Sequence, residues 1–94
     1  MTAQDASDRL RGLLPPGSTV YTAVTFRTRR HTRRSVRVFL IRDNAPLDLS
    51  PLVAQVLGRE HDDVNEGVST DTTPAELVAD LARTLGLRLR AEEL

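Results

Sequence analysis

The residues best suited to chemistry in this chain are arginines, and they are concentrated in one segment. Six arginines and no acid lie between Arg27 and Arg37. A guanidinium group carries its N–H donors in a planar fork that matches the oxygens of a phosphate or a carboxylate. The candidate nucleic-acid-binding residues are therefore Arg27, Arg29, Arg30, Arg33, Arg34 and Arg37.

Two segments of β character flank this cluster, Thr19–Thr28 and Ser35–Arg42. Apolar residues alternate with others along both, and β-branched residues are frequent. We expect a β-hairpin with residues 29–34 at its tip. A basic two-stranded ribbon can enter a groove of a nucleic acid or contact its phosphates, and Tyr21 could stack on a base. Alternatively, the arginines form ion pairs with a second copy or with acids of the same chain, namely Glu60, Asp62, Asp63 and Glu66.

The charge of the chain is unevenly distributed although it sums to zero. Residues 1–42 contain nine arginines and two acids, which gives +7, whereas residues 43–94 contain four arginines and eleven acids, which gives −7. Such an asymmetry is typical of a half that binds a polyanion or of a chain that associates with itself. Only three residues are aromatic, so the core must be thin and aliphatic. We therefore expect a homodimer rather than a monomer.

A second polar cluster, Glu60-His61-Asp62-Asp63 with Asn65 and Glu66, contains oxygen and imidazole ligands. It does not fit the calcium-binding loop, because Gly67 occupies a ligand position and the distal bidentate acid is missing. It does not fit the HExxH zinc helix either. We expect a polar loop without a metal.

Catalysis has little support in the sequence. The only histidines, His31 and His61, are not part of a recognisable nucleophile motif, and there is no glycine-rich phosphate loop. The sequence therefore predicts that the protein is not an enzyme and uses no cofactor. Cysteine is absent, which excludes disulfides and thiolate chemistry. Neither a membrane span nor a signal pattern is evident, so we expect a cytoplasmic protein without a membrane partner.

Three helices are predicted around the hairpin. Thr2 can cap the first, which Pro15-Pro16-Gly17 ends. The second is expected to have Ser50 at the N-cap and Pro51 as its first residue, and to end at Gly58. The third begins with Thr73-Pro74-Ala75-Glu76, a capping box, and ends near Gly86.

The remaining segments are less regular. Residues 43–46 are predicted to form a turn, and a short third strand is expected within 62–70. Residues 87–90 suit either an edge strand or a continuation of the third helix. Residues 1–94 should thus form a single α+β domain, a two-layer structure in which the helices cover one face of the sheet.

The chain resembles a group of small uncharacterised phage and prophage proteins. The resemblance is carried by the residues 13–22 (LLPPGSTVYT), an arginine-bearing turn with Ser35, the helix residues Val53-Ala54 and Leu57-Gly58, and Glu66-Gly67-Val68. Those proteins usually have a Gly-Met-Asp-Met-Gly-Phe run before the final helix, where this chain has Ser69–Thr73. The resemblance implies a phage context but no particular chemistry.

Two functions are consistent with these observations. The first is a small non-enzymatic phage-type accessory protein that binds nucleic acid through the arginine-rich hairpin. The alternative is a protein-binding module, for instance an inhibitor of a host or defence protein, that uses the acidic second half or the same hairpin.

Overall fold

The chain folds as an α+β domain with three helices, as the sequence predicts. A computed structural model describes residues 2–26, 34–62 and 67–94, and for Phe26 and Asp62 it describes the backbone alone. The elements within these ranges are α1 (Ala3–Leu13), β1 (Ser18–Phe26), β2 (Arg34–Arg42), β3 (Ala45–Asp48), α2 (Ser50–Leu57), β4 (His61–Asp62), β5 (Gly67–Ser69), α3 (Pro74–Leu85) and β6 (Leu89–Glu93).

The predicted hairpin forms the centre of the sheet. Strands β1 and β2 are antiparallel, and their register runs from Tyr21 opposite Phe39 to Phe26 opposite Arg34. The strand order is β4-β5-β2-β1-β6, and β3 also pairs with β2. Strand β6 runs parallel to β1, whereas the other pairings are antiparallel.

The core lies between the helices and one face of this sheet. Alternate residues of the central strands, among them Val20, Val36 and Val38, are fully buried there. All three helices contribute to the same core cluster, which includes Leu10, Leu14, Leu49, Val53, Leu77, Leu81 and Leu85. The opposite face of the sheet is covered by none of the helices in the described parts of the chain, and we call it the open face.

Two helix starts are fixed by local capping, as predicted. Thr2 and Asp5 form a capping box at α1, and Thr73 and Glu76 form another at α3. In each box the hydroxyl accepts from the N3 backbone N–H, and the N3 carboxylate accepts from the N-cap N–H. Hydrogen bonds from Thr2 lower the pKa of Asp5 because they stabilise its ionised form. Gly86 ends α3 with a φ of 68°.

The start of α2 differs from the prediction. Its N-cap is Leu49, and Ser50 is the first helical residue. The hydroxyl of Ser50 is engaged with the backbone of Val38 in strand β2, so it cannot cap its own helix. Asp48 takes over part of that role, since its carboxylate accepts a hydrogen bond of 2.9 Å from the N–H of Ser50.

The turn predicted at residues 43–46 is shorter than expected. Asp43 and Asn44 have φ values of 53° and 62°, which is typical of a two-residue hairpin turn. Ala45 and Pro46 already belong to β3. A proline is tolerated there because β3 pairs with β2 alone among the described strands, which leaves its other edge without a ladder partner.

Two segments that the sequence left open, residues 62–70 and 87–90, both contain strands in the structure. Strand β5 lies within the predicted range 62–70 and pairs with β2, while β4 adds a further short strand before it. Residues 89–93 form β6, so the edge strand replaces the helical alternative and lies slightly later than residues 87–90.

Candidate nucleic-acid interface

The structure describes only two of the six arginines of the cluster, Arg34 and Arg37. Arg27, Arg29, Arg30 and Arg33 lie outside the described residues, as does His31. Because Phe26 is paired with Arg34, residues 27–33 connect the ends of β1 and β2. The register therefore brings the ends of this arginine-rich segment together at one end of the sheet.

Arg34 is the first residue of β2, although the sequence placed it in the hairpin tip. Its guanidinium is half-buried and donates hydrogen bonds to the backbone carbonyls of Asp71, at 2.7 Å, and Thr72. These carbonyls belong to the segment between β5 and α3. Arg34 thus ties the beginning of β2 to the beginning of α3, and part of its guanidinium is committed to the scaffold.

The segment that receives Arg34 is itself held by a second arginine. Arg59 donates to the hydroxyl of Thr70 at 2.8 Å and forms an ion pair of 3.3 Å with Asp80 of α3. The hydroxyl of Thr70 lies 2.7 Å from that of Thr72. Arg34 and Arg59 therefore fix residues 70–72 from two sides, and this contact holds the basic end of β2 in place.

Arg37 lies on the open face, next to the aromatic residues of the sheet. Its guanidinium carbon is 5.8 Å from the centre of the Phe39 ring, within range of a cation–π interaction. The Phe39 ring is stacked on Tyr21 with centroids 6.2 Å apart and an angle of 26° between the planes. The patch formed by Tyr21, Arg37 and Phe39, with Ala23 opposite Arg37, is hereafter the aromatic patch.

The sequence indicated only half of this patch. Because side chains alternate along a strand, Arg37 and Phe39 must share one side of β2, and the sequence predicts Tyr21 as a residue that can stack on a base. The sequence alone does not show that Tyr21 and Phe39 face each other, because that depends on the register of β1 against β2. In the structure Phe39 is 8% exposed and Tyr21 is the more accessible ring of the pair.

The polar cluster at residues 60–66 does not form a site in the part that the structure describes. Glu60 is exposed and His61 is half-buried, whereas Asp63, Asn65 and Glu66 lie outside the described residues. Among the side chains that the structure describes, no three from His, Asp or Glu are arranged to hold a metal ion. The alternative ion pairs between the tip arginines and these acids also fall outside the described ranges.

An apolar groove lies between α1, β3 and α2. It has a volume of about 770 Å³ and contains three partly exposed leucines, Leu13, Leu47 and Leu52. Arg9 and Asp48 also line it. The sequence did not indicate this groove because β3 was not predicted.

None of the described helices is both long enough and apolar enough to span a membrane. Comparisons of the chain with protein-family models, curated proteins and solved structures found no match. The resemblance to phage proteins therefore stays a prediction.

Proposed function

We propose that this chain is a small non-enzymatic accessory protein of the phage type that binds nucleic acid through the β1–β2 hairpin. The observation that carries the proposal is the register of these strands. It joins an open face bearing the aromatic patch to a connecting segment that contributes four arginines, Arg27, Arg29, Arg30 and Arg33. Phosphates and bases are the two chemical groups that such a surface can contact together.

Each part of the hairpin has a separate role in this proposal. The arginines of the connection contact phosphates, which gives affinity without sequence preference. Arg37 and the accessible ring of Tyr21 contact bases, since every base has a face that can stack on an aromatic ring. Arg34 holds the hairpin against residues 71 and 72.

The aromatic patch favours single strands over duplexes. Bases in a duplex are stacked on one another, whereas unpaired bases can stack on a side chain. We therefore expect tighter binding of single-stranded DNA or RNA than of a duplex with the same sequence.

Fluorescence anisotropy with labelled oligonucleotides at low salt tests this function. Binding should weaken with salt, with a log–log slope of roughly −0.7 for each phosphate neutralised on a single strand. The variant Arg29→Ser/Arg30→Ser/Arg33→Ser should bind much more weakly and with a shallower slope. Arg9→Ser/Arg83→Ser/Arg88→Ser, which removes the same charge from exposed positions outside β1 and β2, is the matched control. Equal loss in both variants, or no binding by the unmodified chain, would refute the proposal.

A protein-binding module is the second candidate, and the apolar groove between α1, β3 and α2 favours it. Leucines flanked by one basic and one acidic side chain suit an amphipathic segment of another protein. Leu47→Asp would block such a contact and leave oligonucleotide binding unchanged. The two functions are thus distinguished by two variants. The triple arginine variant should lose nucleic acid, whereas Leu47→Asp should lose a protein partner.

A further inference from the structure

Strand β6 is an edge strand whose outward side has no ladder partner in the described parts of the chain. It pairs with β1 alone, from Ser18 opposite Leu89 to Thr22 opposite Glu93. The N–H of Gly17 donates to the carbonyl of Arg88, and the N–H of Leu94 donates to the carbonyl of Thr22, each at 2.9 Å.

These two hydrogen bonds determine which backbone groups of β6 are available. Even-numbered residues of β6 direct their N–H and C=O groups towards β1, since in a parallel pair alternate residues face the neighbouring strand. The N–H and C=O groups of Leu89, Ala91 and Glu93 therefore point away from the sheet. Unpaired edges of this kind are templates for a further strand.

The sequence of this edge is complementary to itself. We propose that two copies of the chain associate through antiparallel pairing of their β6 strands about a two-fold axis at Ala91. In this register Ala91 pairs with Ala91, and Leu89 pairs with Glu93 of the other copy. All the outward N–H and C=O groups of these residues then find partners.

Charge selects this register over its neighbours. With the axis at Ala91, Arg90 of each copy lies opposite Glu92 of the other, so the dimer contains this ion pair twice. Moving the axis to residue 90 also forms two ion pairs, between Arg88 and Glu92, but it adds Arg90 opposite Arg90. Moving the axis to residue 92 places Glu92 opposite Glu92. Like charges directly across an antiparallel pair are destabilising, whereas opposite charges are stabilising. Both residues are exposed in the single chain and are free to form this contact.

The surroundings of β6 allow a second copy to approach. A groove of about 630 Å³ runs beside the strand on the helix side, where α3 presents Ala79 and Ala82 next to Leu87 and Leu89. These small alanines leave space beside the edge. The proposed register also brings Leu94 of the second copy, which is 72% exposed in the single chain, opposite Arg88.

The proposal is tested by charge exchange in the full chain, with sedimentation velocity or light scattering as the measurement. The unmodified chain should be a dimer whose dissociation constant rises with salt. Arg90→Glu and Glu92→Arg should each raise that constant by roughly tenfold, since each puts like charges opposite one another twice. The double variant Arg90→Glu/Glu92→Arg should restore dimerisation. Arg88→Glu, which has no charged residue opposite it in this register, is the matched control.

A backbone variant tests the ladder itself. Ala91→Pro removes an outward N–H that β1 does not use, so the circular dichroism spectrum should keep its folded form while the dimer dissociates. A chain that is monomeric at high concentration, a double variant that stays dissociated, or a dimer that tolerates Ala91→Pro would each overturn the proposal.

Discussion

The hydroxyl of Ser50 accepts a hydrogen bond of 3.0 Å from the backbone N–H of Val38, so a helix N-terminus serves as a partner for the middle of β2. The N–H of Leu49 completes the contact by donating to the carbonyl of Val38 at 2.7 Å. On this edge of β2, Val36 is paired with β5 and Leu40 with β3. The start of α2 therefore fills the gap between two short strands.

Replacing this hydroxyl should cost stability. Ser50 is fully buried, so Ser50→Ala leaves the N–H of Val38 without a partner in an apolar setting. We expect the free energy of unfolding to fall by about 1–3 kcal/mol. Urea denaturation measures this change. Ser7→Ala, on the partly exposed surface of α1, is the control and should change the value by less than about 0.5 kcal/mol. Equal effects of the two substitutions would show that the Ser50–Val38 contact is unimportant.

A second prediction concerns the close approach of β5 to β2. A Cβ atom on Gly67 would lie 3.1 Å from the Cβ of Ser35 and 3.3 Å from the carbonyl oxygen of Val36. Gly67→Ala should therefore destabilise the domain by about 1–3 kcal/mol through overpacking.

The matched control for that variant is Gly12→Ala in α1. Nothing lies within 4 Å of a Cβ at Gly12. Alanine is favoured over glycine inside a helix, so this variant should gain about 0.5–1 kcal/mol. The two alanine substitutions should thus move the thermal midpoint in opposite directions. A shift of the same sign in both would contradict the packing argument.

The third prediction separates the arginines by their role. Arg29→Ser/Arg30→Ser/Arg33→Ser should leave the melting temperature nearly unchanged, because arginine is almost never buried unpaired and surface charge pairs contribute only about 0–1 kcal/mol each. Arg34→Ser should lower the free energy of unfolding by about 1 kcal/mol, because its hydrogen bonds to the carbonyls of Asp71 and Thr72 are lost.

Substitutions in the core show how large a loss of stability is when a buried side chain is removed. Val38 and Leu81 are at most 1% exposed, so Val38→Ala and Leu81→Ala should each cost roughly 1–5 kcal/mol through lost burial and a cavity. Thermal and urea unfolding of all variants under one condition ranks them by their loss of stability. If the triple arginine variant unfolds like a core variant, those arginines belong to the scaffold and the proposed interface is misplaced.

The accuracy of prediction from sequence depends on whether the deciding contact is local. The capping boxes of α1 and α3 involve residues three positions apart. The box at α3 is found where the sequence predicts it, and at α1 the predicted cap Thr2 forms a box with Asp5. The left-handed glycine after α3 is equally local. The alternation along β1 and β2 is likewise local, and the fold class follows from the order of the helices and strands.

Features set by distant parts of the chain were not predictable in this way. Ser50-Pro51 fits a local N-cap, yet Ser50 is used by Val38, twelve residues earlier, which no local rule includes. The stacking of Tyr21 on Phe39 required the register of the hairpin. The anchoring of Arg34 required residues 71 and 72 to be brought beside β2 by β5 and α3. Tertiary contacts decided each of these points.

The last prediction concerns pH and the start of α1. The carboxylate of Asp5 accepts a hydrogen bond of 3.2 Å from the N–H of Thr2, and the N–H of Asp5 donates to the Thr2 hydroxyl at 3.1 Å. The hydrogen bonds from Thr2 lower the pKa of Asp5 below the ordinary value of 3.8 that applies in the unfolded chain. Because the folded pKa is the lower of the two, the contribution to stability is fully present above the unfolded value. It is lost as the pH falls through the folded value.

We therefore expect Asp5→Asn to reduce stability at pH 6 and to have a smaller effect at an acidic pH below the folded pKa of Asp5, where the carboxyl of the unmodified chain is itself protonated. Urea denaturation at the two pH values measures this difference. Carbon NMR of the Asp5 carboxyl gives its pKa directly, and Thr2→Ala should raise that pKa because it removes the hydroxyl that forms half of the capping box. A carboxyl that titrates at or above 3.8 in the unmodified chain would show that the capping box does not form.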